Sequence, residues 1–275
     1  MKQTIRALGT LALVTNMIVI SSVAVAQTQP PPQKQLNAVE LYNNGVDKLS
    51  AANYTGAIAD FTQAIALAPN DPDAYYNRAY AYLILGDFEK AVADYSQALQ
   101  INPNYTYAYG NRCYVYFLSK KYEAAITDCD KAISLQADYA DFYIYRGNAK
   151  SELNQNQEAL SDYEKAISLA ANNPKTRAKA FYNRGRTYQS LENHKQAIAD
   201  YTDSIALNPD DGDAYYNRAA SYYALGNNQE AMVDLEIAAR LFTDQAKKDK
   251  QDKALQLINQ IQSEQQKSLN FSNKH

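Results

Sequence analysis

Small and large side chains alternate along this chain with the rhythm of packed helices. Cutting residues 38–245 into units of 34 (38–71, 72–105, 106–139, 140–173, 178–211 and 212–245) brings them into register, with Pro174–Arg177 left over between the fourth and fifth. Position 20 is alanine in every unit: Ala57, Ala91, Ala125, Ala159, Ala197 and Ala231. Position 8 is small throughout (Gly45, Ala79, Cys113, Gly147, Gly185, Ala219), as is position 27. Large residues stand at position 4 (Leu41, Tyr75, Tyr109, Tyr143, Phe181, Tyr215) and at position 24, where Cys129 is the small exception. Spacings of 3, 4 and 7 mark one face of a helix rather than the alternation of a strand. Small residues on facing stripes let two helices approach to the short end of the usual ~8–10 Å. Pro69, Pro103 and Pro209 at position 32 cannot continue a helical ladder and stop the second helix. Each unit is therefore predicted to be an antiparallel helix pair. Ala137 and Ala171 replace the proline in units three and four, which predicts longer second helices there, and Pro174–Arg177 predicts an extended turn.

The segments Asp73-Ala-Tyr-Tyr-Asn-Arg-Ala79 and Asp213-Ala-Tyr-Tyr-Asn-Arg-Ala219 are identical, and Tyr182-Asn183-Arg184 repeats their centre. With the small positions and the terminal proline, this pattern resembles the tetratricopeptide repeat family over residues 38–245. Two departures stand out: Tyr or Phe replaces the family's usual Trp at position 4, and Arg replaces Leu at position 7 in five units. The resemblance implies an all-α superhelix of six antiparallel helix pairs, with no catalytic machinery and no cofactor. It also implies a concave face lined by first-helix positions 2, 5, 6, 9, 12 and 13, on which a protein or peptide partner binds.

On those positions the chain places Tyr42, Tyr76, Tyr182 and Tyr216 (position 5) and Asn77, Asn111, Asn183 and Asn217 (position 6). Position 9 supplies Tyr80 and Tyr114, with Arg186 in unit five, and position 12 supplies Phe117 and Tyr223. Tyrosine offers large contact area at low rotamer cost, and asparagine can fork onto a peptide backbone. The combination points to an extended or helical polypeptide ligand, while part of the tyrosine set seals junctions between units. The family's clamp for chaperone C-terminal carboxylates matches only at Asn77; Tyr42, Val46, Tyr107 and Asn111 stand where Lys, Asn, Lys and Arg are wanted, so that ligand is not expected.

Arginine at position 7 (Arg78, Arg112, Arg146, Arg184, Arg218) accompanies aspartate at position 23 (Asp60, Asp94, Asp128, Asp162, Asp200, Asp234). An arginine near the core needs a partner, so the row reads as structural ion pairs rather than an anion site. Unit one has Asn44 in place of Arg, as if no unit preceded it to supply an aspartate. The expected pairs are therefore Asp60–Arg78, Asp94–Arg112, Asp128–Arg146, Asp162–Arg184 and Asp200–Arg218. Cys113 and Cys129, at positions 8 and 24 of unit three, serve either as small core thiols or, if their Cα atoms come within about 7 Å, as a disulfide.

Composition narrows function further. The chain has 275 residues, 24 of them Tyr and none Trp, with a formal net charge of -3, which argues against nucleic acid as a partner. With two His and two Cys, multi-histidine metal sites and disulfide-rich scaffolds are excluded. Residues 1–26 carry Lys2 and Arg6, an apolar stretch and a closing Ala24-Val25-Ala26, the pattern of an export signal cleaved before Gln27. An uncleaved segment would instead anchor the chain to a membrane. The body is thus expected in a periplasm, lumen or extracellular space. Residues 27–37 form a Pro/Gln-rich linker, and residues 246–275 a capping amphipathic helix with a frayed tail. The resulting expectation is an exported scaffold for polypeptide partners, possible in the assembly of an envelope or membrane complex; a carrier of a lipid or apolar small ligand is the alternative. Partner identity and oligomeric state are not legible.

Overall fold

The computed structural model describes residues 36–272, and the segment expected to be an export signal, its expected cleavage point and most of the expected linker lie outside them. The described residues form thirteen α-helices and no strand. The six units each supply a pair: α1 (Ala38–Ser50) with α2 (Tyr54–Leu67), α3 (Pro72–Ile84) with α4 (Phe88–Ile101), and α5 (Thr106–Leu118) with α6 (Tyr122–Leu135). The later pairs are α7 (Ala140–Glu152) with α8 (Asn156–Leu169), α9 (Pro174–Ser190) with α10 (His194–Leu207), and α11 (Gly212–Ala224) with α12 (Asn228–Asp244). Helix α13 (Lys248–Ser272) packs on α12 as a cap. Each helix packs on its neighbours in sequence, and first helices also touch the next first helix, the arrangement of an all-α solenoid.

Local chemistry sets the boundaries. Asn37 and Glu40 close a reciprocal capping box on α1, while Asp71, Asn173 and Asp211 accept from the first-turn amides of α3, α9 and α11. Between the helices of each pair, one residue takes a left-handed backbone: Ala52, Gly86, Lys120, Asn154, Glu192 and Gly226. At the first of these turns the Ala52 and Asn53 amides donate to the Leu49 and Lys48 carbonyls, closing a Schellman motif.

Two expectations about length are corrected. Pro174–Arg177 is not an extended turn; Pro174 opens α9 behind the Asn173 cap, so the four residues add a turn to the helix. The second helices of units three and four, α6 and α8, are 14 residues long, the same as α2 and α4, so the missing proline does not lengthen them. The alanine at 137 or 171 follows a backbone already turning, because α6 and α8 end at Leu135 and Leu169 and are capped by Gln136 and Ala170.

The core runs along the seam inside each pair, where the small residue at position 8 meets the residue at position 24. A Cβ on Gly45, Gly147 or Gly185 would lie 2.6, 2.8 or 3.0 Å from the ring of Phe61, Tyr163 or Tyr201 respectively. All six position-20 alanines are fully buried. In unit three the same pair of positions holds Cys113 and Cys129, which form a disulfide across a Cα separation of 5.4 Å.

The ion pairs do not follow the expected register. Each arginine binds the aspartate of its own unit: Arg78–Asp94, Arg112–Asp128, Arg146–Asp162, Arg184–Asp200 and Arg218–Asp234. Asp60, expected to pair with Arg78, is held by Lys48 at 2.5 Å. Positions 7 and 23 flank the position 8–24 contact on the same two helices, so they face each other within a unit. The preceding unit contributes instead through position 25: Arg78 and Arg218 donate to the Thr62 and Thr202 hydroxyls, Arg112 to that of Ser96, and Arg146 to the Asp130 carboxylate. Position-4 rings cover the guanidinium groups one helical turn away, with Tyr75, Tyr109, Tyr143, Phe181 and Tyr215 at 5.5–5.7 Å.

Candidate functional site

The face built by the first helices carries the tyrosines and asparagines singled out from the sequence, and it joins them across units. The Asn77 side-chain amide donates to the Tyr42 hydroxyl, Asn111 to Tyr76, and Asn217 to Tyr182, each at 3.0 Å. Position 5 of one unit is thus bonded to position 6 of the next. Both members keep hydrogen-bonding capacity: the phenol still has its proton to donate and the amide its carbonyl oxygen to accept. Each rung therefore offers one donor and one acceptor side by side. Burial pushes the Tyr76 and Tyr182 phenols up to about 12, so they stay protonated donors at neutral pH.

The ladder breaks in the middle. Gly110 and Tyr145 occupy the rung positions between units three and four. Phe142 fills the space above Gly110, and Tyr145 stacks on Tyr114 with centroids 4.8 Å apart. At the next junction Ile144 cannot bond Asn183, which is buried. A polar cavity of about 210 Å³ opens there, lined among others by Phe117, Asn148, Glu152, Asn183 and Arg186. A second cavity, of about 260 Å³, lies between unit five, unit six and the cap, with Tyr182, Arg186, Tyr216 and Lys253 in its wall.

The remaining candidates divide. Tyr80 is exposed beside the Tyr76–Asn111 rung and is free to meet a ligand. Tyr223 turns to the cap instead: its hydroxyl bonds Glu264 at 2.8 and 2.9 Å and accepts from Gln260 at 2.9 Å. Sequence reasoning missed an exposed aromatic group at the mouth of units three and four. There Tyr107 meets Tyr139 edge-on at 5.6 Å, and Tyr139 lies 4.5 Å from Phe142. Tyr107 sits at position 2, a face position that went unweighted, but Tyr139 lies in the loop at position 34, where no helical spacing points to it.

Sequence profiles described as tetratricopeptide repeat or TPR repeat match residues 72–105, 178–211, 52–86, 201–232, 106–139 and 140–173. This chain belongs to the tetratricopeptide repeat family. No curated protein matches its sequence. Solved structures match its fold. A protein of the APC/C hetero-tetramer Cut9–Hcn1 superposes with a TM-score of 0.69 at 18% identity, over 80% of this chain and 43% of that one. The tetratricopeptide repeat chain thus spans less than half the length of that relative. A tetratricopeptide repeat protein from Parabacteroides merdae ATCC 43184 gives 0.66 at 20% identity, covering 82% and 86% of the two chains. YrrB, a TPR protein with an unusual peptide-binding site, gives 0.51 at 24% identity, covering 67% and 93%.

Tetratricopeptide repeat proteins typically mediate protein–protein interactions and are generally non-catalytic. Among the described residues of this one, no helix is long and apolar enough to cross a membrane, and no group of His, Cys, Asp or Glu could hold a metal ion.

Proposed function

We propose that this protein is an exported, non-catalytic adaptor that holds extended segments of polypeptide partners along the face of its first helices. The observation that carries this reading is the set of rungs Tyr42–Asn77, Tyr76–Asn111 and Tyr182–Asn217. A peptide unit has one carbonyl acceptor and one N–H donor; a rung has one free donor and one free acceptor at matching scale. Exposed Tyr80 and Tyr107 beside the rungs supply apolar contact for side chains of the ligand. Export rests on the signal pattern of residues 1–26, and a role in assembling an envelope or membrane complex follows from that address combined with the family's adaptor chemistry.

The test is photo-crosslinking from position 80 in intact cells, followed by identification of the captured segments and binding measurements with the purified protein. Partners are expected to bind with micromolar affinity, about -8 kcal/mol. Tyr76→Ala with Tyr80→Ala is expected to weaken them about tenfold or more while helical circular dichroism is kept. Unchanged binding in that variant would move the site off this face. A mature chain beginning at Met1 would remove the export claim.

A further inference from the structure

Most of the cations on the first helices are held by carboxylates. The five position-7 arginines grip aspartates, Lys48 holds Asp60, Lys150 joins Arg146 on Asp162, Lys179 pairs with Asp141 and Lys250 with Asp213. Arg186 differs. It sits on α9 at position 9 of unit five, on the ligand-facing side and exposed, and among the described residues no carboxylate lies within 4.0 Å of its guanidinium. It lines both cavities, and in the second it is joined by Lys253, which the capping helix α13 contributes.

The carboxylates nearby are committed elsewhere. Asp213 shares the second cavity, but the Lys250 ammonium holds both its oxygens at 2.8 and 2.7 Å. Asp211 is turned to the amides of Asp213 and Ala214 as the cap of α11. Glu152, across the first cavity, takes the Tyr122 hydroxyl at 3.5 Å. The second cavity therefore holds three cationic side chains against one neutralised carboxylate. In its wall stands the Tyr182 phenol, whose oxygen accepts from Asn217 and whose proton remains available.

From this geometry we propose that Arg186 and Lys253 read an acidic side chain of the bound polypeptide, at the point where the Tyr182–Asn217 rung holds its main chain. The Arg186 fork and the Lys253 ammonium donate to the carboxylate, Tyr182 adds a neutral donor, and the Tyr182 and Tyr216 rings pack against the aliphatic stem. Helix α13 then has a second role: besides closing the solenoid, it completes one subsite. This rests on the peptide reading above and adds to it a residue class and a place.

The experiment is selection from a display library of short random peptides, run on the wild type and on Arg186→Gln with Lys253→Gln. Both side chains are exposed, so the variant is expected to keep its helical circular dichroism. Wild-type selections should be enriched in Asp or Glu at one fixed place in the motif, and the variant should select the same motif without the acid. A wild-type-selected peptide should bind the variant about ten- to hundredfold more weakly. Changing its acid to Gln should cost as much in the wild type and nothing further in the variant. Binders that lack the acid in the wild type, or keep it in the variant, would overturn this subsite and leave the peptide-binding face standing. No binders to either protein would overturn both.

Discussion

The guanidinium of Arg112 grips the carboxylate of Asp128 within one helix pair, its Nε and Nη2 at 2.6 and 2.8 Å from the two oxygens. Both side chains are largely buried, so removing one leaves the other charge uncompensated. Arg112→Ala is expected to cost about 3 kcal/mol, near the low end for a broken buried pair because the arginine keeps some solvent contact. Urea unfolding of a double-mutant cycle checks the register. Arg112→Ala and Asp128→Ala should couple strongly, whereas Arg112→Ala and Asp94→Ala should be additive.

The Cys113–Cys129 disulfide spans a sequence separation of 16 at the centre of the solenoid. Loop-closure entropy for a crosslink of that span is about 3 kcal/mol. Reductant is expected to lower the midpoint of thermal unfolding in the native protein and to leave a Cys113→Ser, Cys129→Ser variant unchanged. An equal response in both would exclude a stabilising bond.

Ala52 and Lys120 hold φ of 56° and 58° at turns where Gly86 and Gly226 occupy the same unit position at 79°. A side chain in the left-handed region costs about 1 kcal/mol. Ala52→Gly and Lys120→Gly are therefore expected to stabilise the chain by about 0.5 kcal/mol each, after the larger entropy loss of glycine. Chemical denaturation of the two variants provides the comparison.

Alkaline pH should unfold this protein steeply. Burial raises the Tyr76 and Tyr182 phenols from 10.0 to about 12, and raises Tyr95, Tyr163 and Tyr201 as well. Because the folded values lie above the unfolded one, their stabilisation is complete below pH 10 and is lost as pH climbs through 12. Tyrosinate absorbance and helical circular dichroism, followed together, are expected to change in one cooperative step. Early ionisation of most tyrosines without loss of helix would contradict this.

The two cysteines carried a signal that bears on the arginines. Cys113 to Cys129 and Arg112 to Asp128 have the same offset, one residue apart on the same helices, so a bond between the first pair places the second pair face to face. Asn44 in unit one suggested a link between units, yet Lys48, one helical turn further on, reaches Asp60 and removes that inference. The Tyr–Asn rungs were invisible for a different reason. Their residues belong to different units, and whether they touch depends on how one helix pair rotates on the next.

What the sequence by itself determined is whatever repeats within a unit. Ala57, Ala91 and their equivalents, the position-8 small residues and the terminal prolines specify helix pairs, because helical period and steric size are local properties. The tertiary structure decided what crosses between units. It bonded Asn77 to Tyr42, turned Tyr223 to the cap, brought Tyr139 from a loop to the aromatic mouth, and set Lys253 of the last helix beside Arg186 of the fifth unit. Those contacts depend on the packing angle between neighbouring pairs, a property of two surfaces fitted together and not of the spacing along either helix.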